Sequence, residues 1–155
     1  MKELFLNQLS IVNYRNLTGI DFSLDRNINC FVGNNGVGKT NALDAIYFLA
    51  MGKSYSNSIT SQNISHQSDF CMIEGVFDKS GKDLRIQCHF EREGKKTIKR
   101  NSKAYKKIAE HVGLRCAGKQ ASFASRIYWI EKWYDPKTFF SRCFLQKLNL
   151  YRLGK

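Results

Sequence analysis

Hydrophobic and polar positions along residues 1–54 alternate in short stretches and then give way to one longer apolar segment. A loose alternation over residues 4–11 and another over 20–24 predict two strands, each with one buried face. Residues 27–32 are apolar enough to predict a short buried strand. Residues 41–51 are apolar over a length that favours a helix. The beginning of the chain is therefore predicted to form three strands followed by one helix.

The middle of the chain has the pattern of a sheet. Three stretches, at 69–77, 84–90 and 95–99, predict strands, and the glycine-containing segments between them predict tight turns. Residues 103–112 then suggest a helix that ends at Gly113. We therefore expect an α/β fold, in which strands surround one helix and a mixed or antiparallel sheet packs beside them.

The segment between the third strand and the helix fits the phosphate-binding loop pattern G-x-x-x-x-G-K-[ST] at every fixed position. Its residues are Gly33, Asn34, Asn35, Gly36, Val37, Gly38, Lys39 and Thr40. The glycines let backbone N–H groups approach phosphate oxygens. Lys39 is expected to reach the β- and γ-phosphates, and the Thr40 hydroxyl to ligate Mg²⁺. A glycine-rich turn that merely caps a helix is the alternative, but such a turn requires neither a lysine nor a hydroxyl here. The motif therefore predicts a nucleotide site.

Composition narrows the class of protein. The chain has 155 residues, 43% of them apolar and 25% charged, as in a soluble globular domain. No apolar stretch approaches the roughly 20 residues that span a bilayer, and the first residues lack a signal-peptide pattern. The five cysteines are scattered, which favours free thiols in a reducing compartment over a zinc site or a disulfide framework. We therefore expect a cytoplasmic protein that does not enter a membrane.

Charge is distributed unevenly along the chain. Residues 1–70 hold five Lys/Arg and five Asp/Glu, whereas residues 71–114 carry a net +5 and residues 115–155 a net +7. This asymmetry favours a polyanionic partner such as DNA or RNA; a solvated basic face without a partner is the alternative. The candidate DNA contacts form a cluster in the middle of the chain: Lys95, Lys96, Lys99, Arg100, Lys103, Lys106 and Lys107.

Further motif segments surround the phosphate loop. Residues 13–16 (Asn-Tyr-Arg-Asn) precede it, and residues 41–47 (Asn-Ala-Leu-Asp-Ala-Ile-Tyr) and 52–54 (Gly-Lys-Ser) follow it. Together with the loop, they resemble the structural-maintenance-of-chromosomes-like ABC ATPases, and most closely the RecF family. The resemblance implies an ATP-binding head with a flanking antiparallel sheet. It also implies that Arg15 helps to hold the nucleotide; an exposed charge at the end of a strand is the alternative.

The same resemblance implies a function in DNA replication, recombinational repair and the SOS response. It implies a DNA-stimulated ATPase that uses ATP and Mg²⁺, binds single-stranded and gapped double-stranded DNA, and acts with recombination mediator proteins. ATP is expected to bring two copies of the full-length protein together as a homodimer. Two alternatives remain: an unrelated NTPase that shares the phosphate loop, and a non-functional or purely interacting fragment.

The resemblance covers residues 1–114, which we predict to be the amino-terminal part of the ATP-binding head. Residues 115–155 do not match, and they hold both tryptophans and the only proline. A shifted reading frame is one explanation, because the codons of residues 115–118, read one base later, can encode the apolar strand Val-Val-Leu-Val. A genuine divergent tail or a truncation is the other. If the frame is shifted, we expect this segment to be disordered or poorly packed.

Two elements of an ABC ATPase are not found in the sequence. An apolar strand that ends in an acidic pair would help to hold Mg²⁺ and polarise the attacking water, and a signature loop would clamp the γ-phosphate. Asp69, Asp78 and Asp83 lack the preceding apolar run, and residues 79–82 are too short for a signature loop. We therefore expect the chain to bind nucleotide without hydrolysing it.

Overall fold

Two sheets, one α-helix and a 3₁₀ turn account for the secondary structure of the described residues. The computed structural model describes residues 4–26, 28–105, 127–129 and 148–153. In chain order the elements are β1 (Leu4–Tyr14), β2 (Leu17–Ser23), β3 (Ile28–Val32), α1 (Lys39–Met51), the 3₁₀ turn (Thr60–Asn63), β4 (Phe70–Lys79), β5 (Lys82–Glu91), β6 (Lys96–Arg100), β7 (Lys103–Ala104), β8 (Ile127–Trp129) and β9 (Leu148–Arg152). Among these residues, no helix is both long and apolar enough to cross a membrane.

The larger sheet has six strands in the order β2-β1-β4-β5-β6-β7, and every neighbouring pair is antiparallel. Its most regular part is the β4–β5 hairpin, in which all ten residues of each strand are paired. Ser80 and Gly81 form the two-residue turn with φ values of 54° and 80°, the left-handed conformation that tight hairpins need. The strands predicted at 69–77, 84–90 and 95–99 are therefore confirmed.

The prediction of a helix at 103–112 is wrong for its first two residues. The first two residues of that segment form β7, which pairs with the last two residues of β6. Asn101 and Ser102 make the connecting turn with φ values of 46° and 69°. Two successive left-handed residues reverse the chain into a hairpin, so the next residues continue the sheet. Residues 106–112 lie outside the described part of the chain.

Helix α1 packs across the inner face of the larger sheet. It buries Ala42, Ala45, Ile46, Phe48 and Leu49. The buried sheet residues of the core include Leu9, Ile11, Ile73, Ile86, Cys88 and Phe90. The rings of Phe48 and Phe90 stack with their centres 4.9 Å apart. This packing fixes α1, and therefore the end of the phosphate loop, relative to the sheet.

The smaller sheet places β3, the strand that enters the phosphate loop, between β8 and β9. Both pairings are parallel, and the Leu153 N–H donates to the Val32 carbonyl at 2.9 Å. These two short segments are the described part of residues 115–155, for which poor packing was expected, and their backbones pair with β3. The other residues of that segment lie outside the described ones, so the boundary at residue 114 and the shifted frame stay predictions.

Candidate nucleotide-binding site

The phosphate loop joins β3 to α1, and glycines make its path possible. Gly38 directly precedes the helix with a φ of 107°, a left-handed conformation. A Cβ at this position would lie 2.4 Å from Leu17 Cδ2 and 2.8 Å from Asn16 Oδ1. A Cβ on Gly33 would lie 2.6 Å from the Leu153 carbonyl oxygen. At its two fixed glycines, the loop therefore passes too close to its neighbours for a larger residue.

Lys39 is the first residue of α1, and its side chain lies against the loop. Its Nζ donates to the carbonyl oxygens of Gly33 at 2.8 Å and Asn34 at 2.9 Å. The residue is only 6% exposed. The two carbonyls satisfy hydrogen bonds but carry no net charge, and within the described residues no carboxylate forms an ion pair with Lys39. Its positive charge is therefore available to a phosphate group.

The N-terminus of α1 presents unpaired backbone donors beside Lys39. The first hydrogen bond of the helix runs from the Ala42 N–H to the Gly38 carbonyl at 2.8 Å. In the part of the chain that the structure describes, the N–H groups of Lys39, Thr40 and Asn41 have no acceptor, and no side chain caps the helix. Such a helix end attracts anions. The exposed Thr40 adds a hydroxyl for a metal ion, so the residues fit a magnesium-bound nucleotide.

Arg15 lies beside the first turn of α1 and is not an exposed charge at a strand end. It follows the last residue of β1 with a φ of 52°, and its side chain is 21% exposed. Nη1 donates to Asn41 Oδ1 at 3.1 Å. Nε and Nη2 donate to Asn63 Oδ1 at 3.0 and 2.7 Å. The structure thus places Arg15 in hydrogen-bond contact with Asn41, the residue that follows Thr40.

Asp44 is the buried partner of Arg15. Its carboxylate forms an ion pair with Arg15 Nη2 at 2.8 Å. It also accepts hydrogen bonds from the Ser54 hydroxyl at 2.7 Å, the Tyr14 hydroxyl at 2.8 Å and the Tyr55 N–H at 2.7 Å. Burial alone would raise the pKa of Asp44, but these hydrogen bonds and the charge of Arg15 hold it below its ordinary value. Burial, reinforced by the charge of Asp44, raises the pKa of Tyr14. At neutral pH Asp44 is therefore ionised and Tyr14 is neutral.

Two asparagines connect this cluster to the loop. Asn41 Nδ2 donates to Asn16 Oδ1, and Asn16 Nδ2 donates to the Gly36 carbonyl, each at 2.7 Å. The motif segments 13–16 and 41–47 contain both asparagines, but no role was predicted for either of them or for Asp44. For Asn41 and Asp44 the signal in the sequence is a short polar side chain in a segment otherwise rich in apolar residues. Their spacing along the chain does not reveal that they meet.

The basic residues predicted to contact DNA divide between the two faces of the larger sheet. Side chains alternate along β6, so Lys96 and Ile98 share the inner face, whereas Lys99 lies on the outer face. Lys96 Nζ donates to the Gly52 carbonyl at the end of α1, and it lies 4.7 Å from the centre of the Phe48 ring. Burial lowers the pKa of Lys96. Lys96 is therefore engaged in contacts inside the fold.

The other described members of the basic cluster are on the surface: Lys95, Lys99, Arg100 and Lys103. Lys106 and Lys107 lie outside the described residues. Glu74 occupies the same row of the sheet as Lys99, pairs with Arg85 at 3.5 Å and accepts a hydrogen bond from Gln87 at 3.0 Å. With Lys96 engaged inside the fold and Glu74 in the row of Lys99, the described basic surface is smaller than the run in the sequence suggests.

Comparison with known families and proteins identifies relatives of the chain. The family profile described as AAA ATPase domain matches residues 4–140. The DNA replication and repair protein RecF of Flavobacterium johnsoniae is 49% identical over 109 residues, which are 70% of this chain and 30% of that protein. RecF of Bacteroides fragilis is 44% identical over 112 residues, which are 72% of this chain and 30% of that protein. The chain thus spans about 30% of the length of these curated relatives.

Solved structures have the same fold. The recombination mediator protein RecF-ATP in the RecFOR pathway matches with a TM-score of 0.68 and 26% identity, over 73% of this chain and 31% of that one. The Smc head domain of Pyrococcus furiosus matches with a TM-score of 0.63 and 18% identity, over 72% of this chain and 32% of that one. The second likeness shows the fold alone. The predicted α/β fold with its flanking antiparallel sheet and the resemblance to the RecF family are both confirmed. The chain belongs to the AAA ATPase domain family and is a relative of the RecF DNA replication and repair proteins.

Proposed function

We propose that this chain binds ATP through its phosphate loop, as the nucleotide-binding part of a RecF-like protein of DNA replication and recombinational repair. One observation carries the proposal. The buried Lys39 ammonium lies beside the N–H groups of residues 39–41, which have no acceptor among the described residues. A positive charge and aligned backbone donors are what a bound triphosphate requires. The similarity to RecF structures that include an ATP complex supports the same conclusion.

Each residue of the proposed site has its own task. The backbone that surrounds the phosphates comes from Gly33, Asn34, Asn35, Gly36, Val37 and Gly38. Lys39 neutralises the β- and γ-phosphates. The Thr40 hydroxyl would hold Mg²⁺, which would help to neutralise the charge of the phosphates. Arg15, whose charge is balanced by Asp44, lies beside the loop and is proposed to help hold the nucleotide.

For the whole protein we propose binding to single-stranded and gapped double-stranded DNA, action with recombination mediator proteins during the SOS response, and an ATP-dependent homodimer. The names of the relatives support DNA repair, and one solved relative is described as a recombination mediator. The exposed side chains of Lys95, Lys99, Arg100 and Lys103 are our candidates for the DNA contacts. We also propose a cytoplasmic location, which the buried free thiols of Cys30, Cys71 and Cys88 support.

Calorimetric titration of ATP into the purified 155-residue chain tests the nucleotide site. We expect Lys39→Ala to weaken ATP binding about ten- to a hundredfold, since a hydrogen bond to a charged group contributes about 1.5–3 kcal/mol. Thr40→Ala should bind ATP like the wild type in EDTA and more weakly than the wild type when Mg²⁺ is present. This difference separates the metal ligand from the phosphate contacts.

Lys99→Ala is the matched control, because it removes the same charge from the outer face of the sheet. Its ATP affinity is expected to equal that of the wild type. Equal ATP affinities of the wild type and Lys39→Ala would refute the assignment. Failure of the folded wild-type chain to bind ATP would refute the nucleotide-binding proposal for this chain as a whole.

A further inference from the structure

Asp44 lies at the centre of the hydrogen-bond network beside the phosphate loop, although it is not among the residues proposed to touch the nucleotide. We propose that Asp44 is a positioning residue, which shapes the loop from behind. It holds Arg15, and two side-chain amides (Asn41 and Asn16) continue from there to the Gly36 carbonyl. The inference rests on the proposed ATP binding and extends it to the residues that set the shape of the site.

First, the Asp44 carboxylate is held in a fixed orientation by its hydrogen-bond donors. Asp44 is 5% exposed and lies four residues after Thr40, one turn further along α1. Its Oδ2 accepts from the hydroxyls of Tyr14 and Ser54, and its Oδ1 accepts from the Tyr55 N–H. These donors come from the end of β1 and from the segment that follows α1. A carboxylate bonded from two directions cannot rotate without losing charge-assisted hydrogen bonds.

The second step is the orientation of Arg15. The ion pair with Asp44 joins Arg15 Nη2 to Oδ2 at 2.8 Å. With that end of the guanidinium fixed, its planar shape directs Nη1 towards Asn41 Oδ1, at 3.1 Å. Asp44 also balances the positive charge of Arg15, whose side chain is only 21% exposed. Without Asp44, Arg15 would keep its charge and its hydrogen bonds to Asn63, but it would lose the one ion pair that holds its guanidinium among the described residues.

The third step is a chain of amides in which every donor points the same way. Arg15 donates to Asn41, Asn41 donates to Asn16, and Asn16 donates to the Gly36 carbonyl. An asparagine side chain has an oxygen that accepts and a nitrogen that donates. Because Arg15 can only donate, it forces the oxygen of Asn41 towards itself and the nitrogen towards Asn16. The same logic then fixes Asn16, so the direction set by Asp44 reaches the loop.

The last acceptor in this chain of hydrogen bonds is the Gly36 carbonyl of the phosphate loop. A carbonyl oxygen repels phosphate oxygens, whereas backbone N–H groups attract them. An Asn16 side chain that holds the Gly36 carbonyl favours the loop conformation in which the carbonyl is already engaged before a nucleotide arrives. The network therefore reduces the reorganisation that binding requires.

The test compares Asp44→Asn with Asp78→Asn. Asp78 is also buried, pairs with Arg26 and accepts the Gly81 N–H at 2.7 Å, but its register places it opposite Phe5, at the other end of β1. Both variants are expected to lower the melting temperature. Only Asp44→Asn should weaken ATP binding by calorimetry, by about tenfold, the range of one hydrogen bond to a charged group. Equal ATP affinity of Asp44→Asn and the wild type would overturn the proposal.

Asn16→Ala provides a second test that does not depend on a buried substitution. It removes the donor to Gly36 without adding a charge beside the loop, and Asn16 is exposed. We expect ATP binding to weaken by about fivefold, as for one neutral hydrogen bond. In the double variant with Asp44→Asn, the loss should be smaller than the product of the two single losses, because both act through one chain. Multiplicative losses, or wild-type affinity of Asn16→Ala, would overturn the proposal.

The outcomes separate this inference from the proposed function. If the wild type binds ATP, Lys39→Ala binds it more weakly, and the Asp44 and Asn16 variants bind like the wild type, ATP binding stands and the positioning role fails. If the wild type does not bind ATP, both fail. If every variant at Lys39, Asp44 and Asn16 weakens binding while Asp78→Asn does not, both are supported.

Discussion

A methyl group added at Gly38 would be unfavourable for two reasons. The φ of 107° lies where residues with a Cβ are strained. The added carbon would also lie 2.4 Å from Cδ2 of Leu17, which is 2% exposed and part of the hydrophobic core. Since Leu17 cannot move away without disturbing that packing, the backbone conformation and the available space both require glycine here.

We therefore predict that Gly38→Ala lowers the free energy of unfolding by about 1–3 kcal/mol, the range of one strained backbone residue. Equilibrium unfolding in urea measures the change. Gly19→Ala is the control, because a Cβ there would meet nothing within 4 Å; its stability should stay within about 0.5 kcal/mol of the wild type. Equal stability of the two variants would show that the loop tolerates a side chain.

Single residues also show how far the sequence predicts the site. The loop residues and Lys39 were predictable because they are contiguous and each has a chemical task that limits the choice of residue. Arg15 could be assigned only through the family resemblance. The hydrogen bond between Tyr14 and Asp44 joins positions 30 apart, and that between Asn16 and Gly36 joins positions 20 apart. Such contacts depend on the tertiary fold, which a local pattern does not contain.

At the scale of elements, β6 places neighbouring basic residues of one run on opposite faces of the sheet. Strand alternation places Lys96 against the end of α1 and Lys99 on the outer face. The Lys96 ammonium meets the Gly52 carbonyl, where the helix dipole is negative, and the Phe48 ring. Two lysines three positions apart therefore have different expected roles, one in the stability of the helix and one at the surface.

Lys96→Met and Lys99→Met test this division, since both remove a charge and keep an apolar stem. Lys96→Met should lower stability by about 1 kcal/mol, as expected for a cation–π contact and a helix C-terminal charge, and leave DNA affinity unchanged. Lys99→Met should leave stability unchanged, weaken binding of gapped DNA and reduce its salt dependence. Thermal unfolding and fluorescence anisotropy at several salt concentrations measure both. Weaker DNA binding by Lys96→Met together with lower stability of Lys99→Met would contradict this division of roles.

Elements were predictable where the pattern is local. The alternation of apolar residues located β4, β5 and β6, and the apolar run after the loop located α1. β7 was missed because its direction depends on the left-handed turn at Asn101 and Ser102. The parallel pairing of β3 with β8 and β9 was also missed. Parallel partners come from distant segments, and nothing in a single strand specifies which segment will lie beside it.

At the scale of the whole molecule, the chain spans about 30% of its curated relatives. It carries the phosphate loop, but its sequence contains no apolar run followed by two adjacent acidic residues. In phosphoryl transfer, positioning and charge stabilisation provide almost all of the catalysis. A loop that binds phosphates therefore supplies only one of the parts that hydrolysis requires.

We predict that the purified 155-residue chain binds ATP without turning it over. Release of inorganic phosphate is expected to equal that of Lys39→Ala, with and without gapped DNA. Turnover above about 0.1 s⁻¹, well below the common range of 1–10³ s⁻¹ for enzymes, that is lost in Lys39→Ala would contradict the prediction. It would also show that other residues of this chain replace the missing acidic pair.

The position of β3 between β8 and β9 has a consequence for synthesis of the chain. All six strands of the larger sheet lie within residues 4–104, so each can find its partners as soon as that part has left the ribosome. β3 finds its described partners only in residues 127–129 and 148–152. The antiparallel sheet can thus fold first, while the strand that carries the phosphate loop still lacks neighbours. In a nascent chain, β3 would gain these two neighbours only after residue 152 has left the ribosome.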